Sequence, residues 1–287
     1  MKTISENRCF GGIQGVYEHH SAETKTPMRF AVYTPPQAMP IPAPLSRKSA
    51  PVLWWLSGLT CTEQNFIAKS GMQRYAAEYG FFVVAPDTSP RGAGVPGEDD
   101  SYDFGTGAGF YVDAKVAPWD ANYRMFSYIR DELPGVFSAA FSAADMSRQC
   151  VAGHSMGGHG ALIVALKTPG RFRSVSAFAP ICNPSGCEWG RRALRGYLGE
   201  NESEWREWDA AALIEDGHSC PPILVDQGAD DEFLSGGQLR PDALEEVCAR
   251  KDQKLVLRRR AGYDHSYYCI ASFIGEHFAH HAAAAGG

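Results

Sequence analysis

The sequence predicts a single α/β domain: a doubly wound, mostly parallel sheet with helices on both faces. Three observations carry this. Short apolar runs alternate with segments of helical spacing from residue 52 to residue 280, the pattern of βα units wound around a buried parallel sheet. Neither an internal repeat nor a linker interrupts the alternation. The 287 residues, 44% of them hydrophobic and 21% charged, suffice for a large core without a disulfide or metal staple.

The elements follow in order. Gly12–Tyr17 and Met28–Tyr33 read as strands separated by a polar turn, expected to extend the sheet as antiparallel edge strands. Pro35–Pro51 holds six prolines (35, 36, 40, 42, 44 and 51) and reads as an exposed, partly polyproline II loop. Val52–Leu56 is a buried strand, Met72–Tyr79 a helix stopped by Gly80, and Phe81–Ala85 a strand ended by Pro86. Asn122–Glu132 reads as a helix and Cys150–Ala152 as a short strand. A helical run through Lys167 then stops at Thr168-Pro169-Gly170. Ser174–Phe178 is a strand, followed by a long stretch containing Trp189, Trp205 and Trp208. Ile223–Asp226 and Lys254–Arg258 read as strands, with a helix over Asp242–Arg250 between them. Ser266–His280 is a final amphipathic helix, and the Ala/Gly tail at 282–287 is expected to fray.

Composition limits the function classes. With 27 Lys+Arg against 33 Asp+Glu, the net charge is −6, which gives no broad electrostatic case for nucleic acid or anionic lipid. An anionic ligand would need basic groups placed locally. The first residues contain no apolar signal-peptide core, and no apolar run approaches the ~18 residues of a membrane span. Eight cysteines (9, 61, 150, 182, 187, 220, 248 and 269) form no CxxC pair. They are expected to be reduced thiols of a cytoplasmic protein.

The sharpest motif is Gly153-His154-Ser155-Met156-Gly157, which fits G-x-S-x-G between a strand and a helix. A serine placed on so tight a turn needs neighbours with almost no side chain, and Gly153 and Gly157 meet that need. The helix that follows offers N–H groups and positive dipole to a developing oxyanion. A serine nucleophile needs a base oriented by an acid, and in the α/β-hydrolase arrangement these follow it in the order acid, then histidine. Beyond the adjacent His159, the downstream histidines are 218, 265, 277, 280 and 281. His277, His280 and His281 lie near the terminus and read as solvated surface, and His218 lies in a polar loop. His265 follows a strand and a Gly-containing loop, where a base at the sheet's C-terminal edge belongs. The acid is expected in the loop after Ile223–Asp226, where both Asp230 and Asp231 have reach. Asp264 reads as a turn residue. In the loop Ser57-Gly58-Leu59-Thr60-Cys61, the N–H of Leu59 pairs with that of Met156 as the candidate oxyanion donor set.

With these residues in place, the chain resembles the S-formylglutathione hydrolase (esterase D) family of α/β-hydrolases nearly end to end. The resemblance is carried by Cys9-Phe10-Gly11-Gly12, the block from Trp55 to Phe66, Ala85 to Gly92 and Gly105 to Ala114. Gly153 to Leu162, Phe178 to Pro184, Asp226-Gln227-Gly228 with Asp230-Asp231, and Gly262 to Tyr268 continue it. It implies a triad of Ser155, Asp231 and His265, oxyanion donors at Leu59 and Met156, no metal or cofactor, a cytoplasmic location and, commonly, a homodimer. It implies hydrolysis of S-formylglutathione to glutathione and formate. Cys61 matches a family cysteine tied to thiol-reagent sensitivity, and its possible roles are apolar filler, thiol near the leaving group or redox-sensitive brake. A formyl group calls for a tight acyl pocket, for which Leu59, Trp189 and Phe233 are bulky candidates. The carboxylates of glutathione call for a basic rim, with Lys69, Arg91 and Arg124 as candidates. The chain departs from the family in its proline-rich insertion around Met39–Ser49 and in its tail.

Overall fold

Strand β4 (Ala50–Leu56) is buried along its whole length, and its alternating side chains seed two separate cores. Leu53 and Trp55 point to one face, Val52, Trp54 and Leu56 to the other. A strand covered on both faces has no use for polar alternation, which is why it reads as an unbroken apolar run. The computed structural model describes residues 1–39 and 49–286, so most of the proline-rich insertion lies outside the described residues. The part of that loop within them includes a single 3-10 turn, Pro36–Ala38.

Among the described residues, nine strands form one sheet in the order β1-β2-β3-β5-β4-β6-β7-β8-β9. Besides β4, these are β1 (Lys2–Cys9), β2 (Gly12–His20), β3 (Pro27–Thr34), β5 (Phe82–Pro86), β6 (Ala144–His154), β7 (Phe172–Phe178), β8 (Ile223–Gly228) and β9 (Leu255–Arg260). From β5 to β9 every pairing is parallel, while β1, β2 and β3 join as an antiparallel edge. That edge has three strands where the sequence suggests two. Strand β1 is exposed for nearly its full length and lacks apolar alternation, so its backbone pairing leaves no mark in the residue pattern.

Helices α1 (Glu63–Lys69), α2 (Met72–Tyr79) and α11 (Tyr267–Ala285) cover one face. The other face takes α3 (Met125–Ser127), α4 (Leu133–Ala140), α5 (Met156–Lys167), α6 (Glu188–Leu198), α7 (Glu202–Trp205), α8 (Ala210–Glu215) and α10 (Pro241–Lys251), while α9 (Glu232–Ser235) is a single turn beyond β8. The helix expected over Asn122–Glu132 starts later and runs on. Between α3 and α4 it takes one π-turn, Tyr128–Glu132. Pro134 cannot donate to the Arg130 carbonyl, which instead accepts from Arg171 Nη1.

Two expectations at the C-terminus are overturned. The alanine tail is helical, and Ala282 and Ala285 pack into the core. His277 and His281 are buried rather than solvated, and His280 is partly buried. His277 Nδ1 meets Ser176 Oγ at 2.8 Å and its Nε2 lies 3.3 Å from Asp226 Oδ2. The His281 ring nitrogens meet Ser174 Oγ at 2.7 Å and Ser176 Oγ at 2.8 Å. These bonds tie α11 to β7 and β8, which fixes the segment that precedes it, including His265. Their spacing continues the stripe Ile270, Ile274, His277, Phe278, His281, Ala282, so the helical period marks them as inward-facing. Among the described residues all eight cysteines are free, and no helix is long and apolar enough to cross a membrane.

Candidate active site

Ser155 joins the end of β6 to α5 with φ 58 and ψ −121. A non-glycine residue held there costs of order 1–3 kcal/mol and persists only when its surroundings over-determine it. Here the Ser155 N–H donates to the Phe178 carbonyl at 2.9 Å, and its own carbonyl accepts from His159 and Ile181 at 3.0 and 3.2 Å. The flanking glycines are sterically required. A Cβ on Gly153 would run into the Gly157 carbonyl, and one on Gly157 into the carbonyl of Leu56.

The loop after β4 presses against this turn. Trp55 stacks on Phe66 with ring centroids 3.8 Å apart, and its Nε1 donates to Ser57 Oγ at 3.1 Å. The Tyr111 hydroxyl donates to the Ser57 carbonyl at 2.9 Å. A Cβ on Gly58 would stand 3.1 Å from Ser155 Cβ, so a larger residue there would push the two backbones apart by a few tenths of an ångström. Thr60 takes φ 67 and its N–H donates to the Gly107 carbonyl at 2.9 Å, while the Cys61 N–H turns back to Gly58. The N–H of Leu59, between them, has no such acceptor among the described residues. Met156 opens α5, where first-turn N–H groups lack intrahelical acceptors.

Asp231 caps α9 and is almost fully buried. Its Oδ1 accepts from the N–H groups of Phe233 and Leu234 at 2.8 and 3.3 Å. Its Oδ2 accepts from Gln227 Nε2 at 3.1 Å and lies 2.6 Å from His265 Nδ1. Asp230 is exposed, with its N–H bonded to the Tyr263 carbonyl. Asp264 accepts from the N–H and hydroxyl of Ser266 and stabilises the turn there. Of the two aspartates with reach, Asp231 is the one that pairs with His265.

Leu59, Cys61, Ser155, Trp189 and His265 line one cavity of about 240 Å³, whose walls also include Thr60, Tyr102, His154, Phe233 and Tyr267. Met156 lies buried at the start of α5 behind them. Burial pushes the Cys61 thiol up, partly offset by the Tyr267 hydroxyl and by Lys69, so it is protonated at neutral pH. The rim candidates fare differently. Lys69 sits behind the wall, its Nζ 5.6 Å from the centroid of the Tyr267 ring. Arg91 is taken up by both Asp87 oxygens and the Cys61 carbonyl. Arg124 pairs with Glu23 at 2.9 Å. None of the three lines the cavity.

His154, the variable residue after Gly153, escapes sequence reasoning because the motif leaves its position open. Its ring centroid lies 4.5 Å from that of His265, and both ring nitrogens are buried without a protein partner. Burial, reinforced by His265, holds its pKa well below the usual value, so the ring is neutral. A neutral neighbour matters here, because a cation at that distance would oppose protonation of His265.

This fold, with a strained serine elbow facing an aspartate–histidine pair at the C-terminal edge of a parallel sheet, is that of an α/β-hydrolase. The family model "Putative esterase" matches residues 21–283. The S-formylglutathione hydrolase of Mus musculus is 59% identical over 283 residues, covering 98% of each chain. That of Rattus norvegicus is 57% identical over 284 residues, again covering 98% of each. The solved structure of an S-formylglutathione hydrolase from Agrobacterium tumefaciens superposes with a TM-score of 0.94 at 49% identity, covering 99% of each chain. The chain belongs to this esterase family and, within it, to the S-formylglutathione hydrolases.

Proposed function

We propose that this chain hydrolyses S-formylglutathione to glutathione and formate through a formyl-serine intermediate on Ser155. The observation that carries the reading is the cavity of about 240 Å³ in which Ser155 and His265 meet Leu59, Trp189 and Phe233. It is smaller than the usual small-molecule pocket, which accords with a small acyl group. His265, oriented by Asp231, takes the Ser155 proton as the hydroxyl oxygen bonds to the formyl carbon. The N–H groups of Leu59 and Met156 hold the oxyanion, each donor worth about 3 kcal/mol. The C–S bond then breaks, the sulfur takes the proton held by His265, and glutathione leaves as a thiol whose pKa of about 8.5 makes it a good leaving group. Water, deprotonated by His265, attacks the formyl-serine and releases formate, returning the proton to Ser155.

A substrate built on glutathione fits residence in the reducing cytoplasm, and the eight free thiols accord with it. Assembly as a homodimer completes the reading, and light scattering on the purified chain measures it. The activity is tested by kcat/KM for formyl, acetyl and butyryl thioesters of glutathione. A fall of at least a hundredfold from formyl to butyryl supports the proposal. A flat series would make the chain a general short-chain esterase.

A further inference from the structure

The Ser155 cavity leaves the charges of glutathione unanswered, because no lysine or arginine is found among the residues that line it. The wall formed by Tyr102 and Trp189 supplies the way out. Trp189 Nε1 donates to the Tyr102 hydroxyl at 3.2 Å, and Tyr102 is 59% exposed. Residues close to these two in the chain line a second, larger cavity of about 670 Å³, among them Phe104, Glu188, Arg191, Arg192 and Arg195. The two cavities therefore share α6 and the 102–104 segment as a common partition.

The three arginines are not equivalent. Arg191 is spent on the Ser185 carbonyl and Glu202, and Arg195 Nε pairs with Glu200. Arg192 makes one bond, from Nη1 to Asp103 Oδ1 at 2.7 Å, and its side chain is 51% exposed. Most of its five N–H donors remain open. Glu188, one helical turn before Arg192 on α6, is exposed and has no hydrogen-bond or ion-pair partner among the described residues. A cation with open donors beyond its Asp103 pair and an unpartnered anion one turn apart match an amino-acid head, which carries a carboxylate and an ammonium on one carbon.

We infer that this cavity is the subsite for the γ-glutamyl head of the substrate, its α-carboxylate on Arg192 and its ammonium facing Glu188. The inference rests on the proposed hydrolysis of S-formylglutathione and adds to it the residues that select the thiol carrier. From the cysteinyl sulfur to the γ-glutamyl head is about two residue lengths, roughly 7 Å. Trp189 and Arg192 are three residues apart, roughly 4.5 Å of helix rise, and the long arginine side chain spans the rest. The arrangement also answers the net charge of −6: the anion is met by one local guanidinium rather than by an overall field.

The test compares kcat/KM for S-formylglutathione with that for an uncharged aryl acetate in the wild type and in Arg192→Gln. Loss of one charge-assisted pair predicts that the ratio of the two falls tenfold or more, mainly through KM for the thioester. Arg192→Lys recovers part of the ratio. A ratio that stays the same, or equal losses on both substrates, overturns the assignment, the second outcome pointing to a disturbed Asp103 loop. A second measurement needs no variant. Wild-type enzyme should prefer S-formylglutathione over S-formyl-N-acetyl-cysteinylglycine, which lacks the γ-glutamyl head and keeps the cysteinyl nitrogen as an amide, by a similar factor, and equal rates would overturn the subsite. If the wild type turns over neither thioester faster than the aryl ester, the hydrolase reading itself fails. If it turns over both thioesters equally fast, only the subsite fails.

Discussion

Asp231→Asn replaces one carboxylate oxygen by an amide NH2 at nearly constant volume, in a buried position where every neighbour is fixed. The N–H groups of Phe233 and Leu234 lie 2.8 and 3.3 Å from Oδ1, so the amide oxygen is drawn to that side. The new NH2 then faces His265 Nδ1, 2.6 Å from Oδ2 in the native chain, and Gln227 Nε2, which is itself a donor. Nδ1 must now accept, which leaves the ring proton on Nε2, the nitrogen needed to receive the proton of Ser155. The base is held in the wrong tautomer while the fold is preserved. The corresponding change in serine proteases lowers kcat by about ten-thousand-fold, equivalent to about 5 kcal/mol of barrier. We expect a loss of that order in initial rates on S-formylglutathione at neutral pH. KM should change little, and the circular dichroism spectrum should stay native. Asp230→Asn, at the exposed neighbour, should lose less than twofold. An Asp231→Asn enzyme within tenfold of wild type would refute the tautomer argument.

Four further outcomes follow from the same geometry. Cys61→Ser should keep most of the activity and lose inhibition by iodoacetamide, because the thiol is a protonated wall residue; a nearly dead variant in the same rate assay would make it catalytic. Gly157→Ala should abolish folded, active enzyme, since its Cβ collides with the Leu56 carbonyl. Gly135→Ala, whose Cβ meets nothing inside α4, should raise thermal stability by up to about 1 kcal/mol, both being read from melting curves. Burial pushes His159 from 6.5 down to about 4, against a weaker opposing bond to the Phe110 carbonyl. The folded state therefore resists protonation that the unfolded chain accepts. Stability is fully present above pH 6.5 and is lost as pH falls towards 4, by about 3 kcal/mol at 1.36 kcal/mol per unit. His159→Gln should make urea-unfolding free energy fall less steeply over that window, and identical slopes would contradict the assignment.

Much of this was legible in the residues because the chemistry constrains them tightly. The elbow needs glycine at 153 and 157, and the parallel strands need unbroken apolar runs. His265 stands out because it follows a strand and loop at the sheet's end. What stayed hidden has physical causes too. Strand β1 is stabilised by backbone pairing at a solvated edge, which selects no side-chain pattern. The buried histidines of α11 mislead when polarity and nearness to the terminus outweigh helical period. Their hydroxyl partners, Ser174 and Ser176, are 101 or more residues earlier in the chain and come together only in the folded sheet. The choice between Asp230 and Asp231 turns on which carboxylate faces inward at the start of α9, a matter of one backbone step. The basic rim resisted prediction for a similar reason. Arg91 and Arg124 fall in or beside conspicuous motifs but pair with Asp87 and Glu23 away from the cavity, whereas Arg192, the residue proposed for the substrate's carboxylate, pairs with Asp103 in a helix with no motif of its own.

The central claim, that Ser155 carries the formyl group from thioester to water, is tested most directly by acid-quenching the enzyme during turnover of S-formylglutathione and mapping its peptides by mass spectrometry. The account predicts one added formyl group on the peptide containing Ser155, formed on the same timescale as glutathione thiol release and absent from Ser155→Ala, which releases no thiol. Thiol release by Ser155→Ala at an undiminished rate, or formyl transferred to Cys61 instead, would contradict it.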